Sequence, residues 1–190
     1  MANSAGISRE TSEALLRQHT KAENLIKHCL ATEAIMRALA RRLGQDAEAW
    51  GTAGLLHDLD FEETKDAPQR HGLRTAEILQ SQGASPQVIE AIKSHNAEAL
   101  GMVRSTQFGH ALSAAETITG MIVATALVHP DKRLASVKPS SITKRMKKKD
   151  FARAVNREIV MECEQLGLAL PEFVELSLKA MQAVSGPLGL

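Results

Sequence analysis

The chain has little cysteine, few aromatics and almost no excess charge of either sign. Its 190 residues contain only Cys29 and Cys163. Two thiols so far apart exclude a disulfide framework and a sulfur-rich zinc module. They predict reduced, buried side chains and a cytoplasmic setting. Aromatics make up 3%: Trp50, four Phe and no Tyr. Core volume must therefore come from Leu, Ile, Val, Met and Ala, which suits helix packing better than a sandwich of strands. There are 23 basic and 22 acidic residues. That balance excludes a global polyelectrolyte, so nucleic acid is an unlikely partner without a local basic patch. Residues 1–10 lack the apolar run of a signal peptide. The longest weakly charged stretch, 111–128, is short for a membrane span and carries Ser113, Glu116, Thr117 and Thr119; it reads as a buried core helix, and no membrane partner is expected. Gly-rich phosphate loops and a serine elbow are also missing.

What is present is helical punctuation. The expected fold is all-α, a compact multi-helix bundle, and the length suits a single domain over 1–190, slightly above the usual ~150 residues. Helices are expected at about 8–19 and 21–43, the second closed by Gly44. Asp46 caps a third that ends near Asp58. Residues 61–69 read as a polar loop. Helices follow at about 70–82, at 86–95 behind Ser85-Pro86, and at 108–128 after a loop over 96–107. Shorter helices are expected from 141, over 151–166 and over 171–183. One charge run, Lys144 to Lys149, lacks interleaved aromatics and reads as a solvated face.

Seven histidines form the skew that needs explaining. His28, His57-Asp58, His71, His95 and Glu116 occur in that order, each on or at the end of an expected helix. Asp58 and Glu116 lie in apolar surroundings, where an ionised carboxylate needs a partner or a cation. A metal ion held by imidazoles and carboxylates satisfies all of them together. His19, His110 and His129 read as ordinary core or helix-end residues. Arg70 and Arg74 flank His71, and Lys93 precedes His95; such cations suit a substrate phosphate. Asp60 and Glu62 are placed to hydrogen-bond a ligand imidazole.

The ordered set resembles the HD-domain superfamily of metal-dependent phosphohydrolases, and within it the short bacterial HDIG-type hydrolases. The resemblance rests on His28, on Leu55-Leu56-His57-Asp58-Leu59-Asp60, on Gln69-Arg70-His71-Gly72, on His95-Asn96, and on Ala114-Ala115-Glu116-Thr117. It departs in two places. Leu59-Asp60 stands where the motif has Ile-Gly, and Glu116 stands where the family usually has Asp.

The resemblance implies a metal-binding core over about 20–130, with a C-terminal helical extension over about 138–186. It implies that His28, His57, Asp58 and Glu116 hold a divalent transition metal, and that His71 and His95 serve a second ion with Asp58 bridging. Imidazole and carboxylate ligands suit Mn, Fe, Ni, Co or Zn better than Ca. The implied activity is hydrolysis of a phosphomonoester or nucleotide by activated water, with His57-Asp58 at the catalytic centre and a small phosphorylated substrate as partner. Two alternatives stand beside it: a di-iron oxygenase related to myo-inositol oxygenase, and a non-catalytic regulatory module. The apolar helices also leave room for a homodimer face.

Overall fold

The computed structural model describes residues 4–190 and contains helices joined by turns, with no strand among the described residues. The order is α1 (Arg9–His19), α2 (Glu23–Leu43), α3 (Ala47–Leu56), α4 (Phe61–Thr64), α5 (Leu73–Ser81), α6 (Pro86–His95), α7 (Ala97–Leu100), α8 (Gln107–Leu127), α9 (Pro139–Met146), α10 (Arg157–Met161), α11 (Leu170–Ala183) and α12 (Ser185–Leu188). Short 3-10 turns occupy Pro68–Arg70, Leu134–Ser136 and Glu162–Leu166. The all-α expectation holds.

Local chemistry sets the helix starts. The Ser8 hydroxyl accepts from the Thr11 amide at the head of α1, and Asp46 accepts from the amides of Glu48 and Ala49 at the head of α3. These side chains satisfy amides that no intrahelical carbonyl reaches. Gly44 ends α2 in the left-handed region.

Helix α2 packs along α3 and also against α8 and α11; α6 and the 162–166 turn cover other faces of α8. Leu39, Leu55, Leu56, Leu112, Ile118 and Phe173 are fully buried where these helices meet. One contiguous core runs from Ala5 to Leu188. Helix α8 is long and apolar enough by composition to cross a membrane. Its Leu112, Ala115, Ile118, Met121 and Ile122 are instead buried in this core, as expected of a central helix.

The α2–α3 crossing is unusually close. A Cβ on Gly54 would lie 2.9 Å from the Thr32 carbonyl oxygen and 2.9 Å from the Glu33 amide. Only glycine allows this approach, and it brings His57 and Asp58, at the end of α3, beside His28 on α2.

Four expectations differ from the structure. The 96–107 loop contains the short helix α7, ended by Gly101 in the left-handed region at φ 63°. The 61–69 loop contains α4 and a 3-10 turn, because the Thr64 hydroxyl donates to the Asp60 carbonyl at 2.7 Å and closes a helical turn. Helix α5 starts at Leu73 rather than near residue 70, since Gly72 is left-handed at φ 85°. Residues 151–156 are not helical. Ala152 has φ 45°, the Arg157 guanidinium donates back to the carbonyls of Ala152 and Val155, and Asn156 caps a helix that begins only at Arg157.

Candidate metal centre

Six of the residues singled out in the sequence come from five segments, and five of the six converge at one place. His28 lies in the second turn of α2. His57 and Asp58 follow the last turn of α3. His71 follows the 3-10 turn, and His95 ends α6. The site sits in the interior: His57 is 1% exposed, His95 6% and Asp58 10%, while His28 keeps 24% of its side chain open.

Asp58 lies between two pairs of imidazoles. Its Oδ2 is 3.6 Å from His28 Nε2 and 3.5 Å from His57 Nε2. Its Oδ1 is 3.1 Å from His71 Nε2 and 3.7 Å from His95 Nε2. Within each pair the nitrogens nearly touch, at 3.1 Å for His28–His57 and 2.9 Å for His71–His95. Two triplets of ligand atoms result, His28–His57–Asp58 and Asp58–His71–His95.

The other ring nitrogen of each histidine is engaged. His57 Nδ1 donates to the Gly54 carbonyl at 2.9 Å and His95 Nδ1 to the Ile92 carbonyl at 2.5 Å. Each is the carbonyl three residues back, so the helix end itself orients the ring. His71 Nδ1 donates to Asp60 Oδ1 at 2.7 Å. His28 Nδ1 is 2.9 Å from Thr119 Oγ1, whose hydroxyl donates to the Glu116 carbonyl and so accepts from His28. All four Nδ1 atoms are thereby donors. In the neutral rings the Nε2 lone pairs point at one another and at Asp58.

Unprotonated nitrogens about 3 Å apart repel unless a proton or cation lies between them. With metal–nitrogen bonds of about 2.0–2.1 Å, adjacent ligands at right angles stand roughly 3 Å apart. The spacing and the fixed tautomers therefore fit divalent metal. The electrostatics agree. Burial pushes His57 down to about 3, so this ring stays neutral. Burial would raise Asp58, but His57, His71, His95 and His28 hold it well below the usual carboxylate range. His71, although burial lowers it, is raised to about 9 by Asp58 and Asp60 on its two nitrogens, so without a cation its Nε2 holds a proton toward Asp58, in the place a metal ion would take.

Asp60 is fully buried and works as a brace. Besides His71, it accepts from the amides of Gly72 and Thr75, both at 2.9 Å, and so caps α5 from outside. Glu62, expected near an imidazole, instead accepts from the amides of Lys21 and Ala22 at 2.7 and 3.1 Å and caps α2. Two carboxylates after the His57-Asp58 doublet thus hold the helix or strap that carries another histidine.

Glu116, the sixth residue, stays outside both triplets. It is half-buried on α8 and accepts from the Thr117 hydroxyl. Burial raises its pKa, opposed by the nearby His28. Arg74 pairs with Glu77 at 2.8 Å and Lys93 with Glu90 at 2.7 Å, each on its own helix. Arg70 is exposed beside His71.

Sequence reasoning missed Thr119 and Arg104. Arg104 is 5% exposed; it donates to the carbonyls of Ser94 and His95 and pairs with Glu98 and Glu162. It ties the 96–107 segment to the end of α6. Nothing in an exposed-looking loop marked this arginine as buried. His110, read as background, pairs with Glu162 at 2.7 Å in the same network.

Comparison with known proteins agrees with this geometry. The family model for the HD domain matches residues 25–129, more than half of the chain, and the chain belongs to that family, which implies the metal-dependent phosphohydrolase superfamily. Over 106 residues, 55% of its length, it is 29% identical to proteins named Ribonuclease Y from Nitratidesulfovibrio vulgaris strains DP4 and Hildenborough. The match spans 20% of those relatives' own length. No solved structure matches the chain.

Proposed function

We propose that the protein is a metal-dependent phosphohydrolase acting on a small phosphorylated substrate, a phosphomonoester or nucleotide. One observation carries the reading: Asp58 offers one oxygen to each of two imidazole pairs. His28, His57 and Asp58 Oδ2 would hold one divalent ion, and Asp58 Oδ1, His71 and His95 another. Mn, Fe, Ni, Co and Zn suit this donor set. A bound divalent ion lowers the pKa of water from about 15.7 toward ~7 and offsets charge on a phosphoryl oxygen.

The chain supplies the rest. Gly54, Ile92, Thr119 and Asp60 hold the four rings in one tautomer. His57 and His95 close the interior side against bulk water. The exposed edge of His28 leaves a way in for an anion at one imidazole pair, and Arg70, exposed beside His71 of the other pair, offers a guanidinium for its oxygens. The name of the Ribonuclease Y relatives supports phosphoester chemistry, so an RNA oligonucleotide belongs in the substrate screen.

The test combines metal analysis of the purified protein with phosphate release across nucleotides and sugar phosphates under anaerobic conditions. Turnover without oxygen supports the reading; oxygen uptake with bound iron and no phosphate release sinks it. The double variant His57→Ala/Asp58→Ala should retain no metal, and full occupancy in it refutes the ligand assignment.

A further inference from the structure

The described residues form a cavity of about 380 Å³ on the open side of His28. It lies between α2, α8 and the C-terminal segment. His28 and Thr119, which belong to the metal centre, form part of its wall. The rest is mostly aliphatic: Ala31 from α2, Val123 from α8, Met181 from α11, then Leu188 and Leu190. No Phe, Tyr or Trp ring lines it and the His28 ring is held by Thr119 and the cluster, so the cavity offers a nucleobase little stacking surface. Asn24 and Thr119 are its uncharged polar side chains, and Thr119 is already engaged with His28 and the Glu116 carbonyl. The one Lys, Arg, Asp or Glu side chain in its wall is a cation, Lys27, whose ammonium lies close to Gly189.

We infer that this cavity receives the organic part of the substrate and that this part is aliphatic, so the substrate class is a phosphomonoester of an apolar alcohol. The inference rests on the phosphohydrolase reading and adds the leaving group to it. The phosphate sits at the His–Asp cluster and the alkyl chain extends past His28 toward Val123 and Met181. In the reaction, the bond from phosphorus to the alcohol oxygen breaks and a bond from phosphorus to the water oxygen forms. The departing oxygen takes a proton, giving the free alcohol and inorganic phosphate. A pocket of this size and lining holds its ligand by apolar burial, with polar groups fixing one end.

The experiment uses manganese-loaded full-length protein and two matched series. Calorimetry follows binding of n-alkylphosphonates from methyl to hexyl, whose carbon–phosphorus bond resists ester hydrolysis. Phosphate release follows turnover of the corresponding n-alkyl phosphates and of AMP. Each added methylene should lower Kd about threefold to fourfold, the increment for burying one CH₂. Val123→Phe, which fills the cavity from a half-buried position, should flatten this gradient and leave methylphosphonate binding unchanged. Val123→Thr, which keeps the volume and exchanges a methyl for a hydroxyl, should reduce the gradient and serves if the larger residue disturbs folding. A wild-type Kd independent of chain length overturns the inference, as does a gradient untouched by both variants. Tighter binding of AMP than of hexylphosphonate, lost in Val123→Phe, also overturns it and assigns the cavity to a base. A chain-length gradient with no hydrolysis of any ester upholds the cavity and refutes the phosphohydrolase reading. Hydrolysis with a flat gradient does the reverse.

Discussion

Replacing Asp60 by Asn changes one atom of a fully buried group that three donors address. In the native site Oδ1 accepts from His71 Nδ1 at 2.7 Å, and Oδ2 accepts from the amides of Gly72 and Thr75 at 2.9 Å. Asn has one acceptor oxygen. If it faces the two amides, its NH₂ meets the Nδ1–H of His71, donor against donor. His71 can relieve this only by giving up its Nδ1 proton and keeping one on Nε2, the atom 3.1 Å from Asp58 Oδ1, and that occupies the lone pair a metal needs. If the amide is flipped, the NH₂ faces two backbone amides at the start of α5. Either way a buried donor is left unsatisfied, which costs about 1–3 kcal/mol. For a chain of this size that corresponds to a fall in Tm of roughly 2–12 °C at about 2–4 °C per kcal/mol. Disturbing a group that orients a ligand imidazole weakens metal binding about 10–100-fold. The triplet of His28, His57 and Asp58 Oδ2 is untouched. Thermal unfolding with and without manganese, together with calorimetric titration, should show one strong site retained and the other weakened. Nitrogen-15 spectra of the metal-free variant should show His71 shifted toward the Nε2–H tautomer. Two ions bound with wild-type affinity, or an unchanged His71 tautomer, would refute the reasoning.

Other substitutions test other parts of the same structure. Gly54→Ala gains about 1 kcal/mol of helix propensity, yet its Cβ would press on the α2 backbone at 2.9 Å; overpacking costs about 1–3 kcal/mol, so denaturant unfolding should show no net gain, and metal affinity should fall as His28 and His57 separate. Arg104→Met strips Glu162 of its 2.5 Å partner and leaves the Ser94 and His95 carbonyls without their donor. Breaking so enclosed a pair costs about 3 kcal/mol, and hydrogen exchange should show the end of α6 opening first; wild-type protection there would count against the clamp. Cys29 and Cys163 are both 0% exposed, and burial pushes both thiols upward, Cys163 to about 11. Neither should react with a disulfide reagent at pH 8 within minutes, and both should react once the chain is denatured; prompt labelling of the native protein would show that α2 or the 162–166 turn opens readily. A chelator should lower the Tm of metal-loaded protein, because an ion bound only to the folded state stabilises it by mass action; no shift would mean that the cluster holds no ion.

The sequence by itself determined the helices and the order of the histidines. Helical periodicity, Ser8, Asp46, Gly44 and Ser85-Pro86 are local signals, and hydrogen bonds within a few residues satisfy them. The same holds for His57 and His95, each oriented by the carbonyl three residues before it. Expectations failed where a side chain outside the segment overrode its helical periodicity. Helix α5 begins at Leu73 because Asp60 caps it from across a turn, and the 151–156 segment is not helical because Arg157 gathers its carbonyls. Tertiary structure alone decided that Asp58 gives one oxygen to each imidazole pair, since those pairs join α2 to α3 and the His71 strap to α6. It decided that Thr119, 91 residues from His28, sets that ring's tautomer, and that Glu62 braces α2 rather than an imidazole. It also brought Leu188 and Leu190 beside Val123 to wall the cavity at His28. Each of these meetings depends on the angle and distance at which helices cross. Packing fixes those quantities, and in the α2–α3 crossing they hinge on the missing side chain of Gly54.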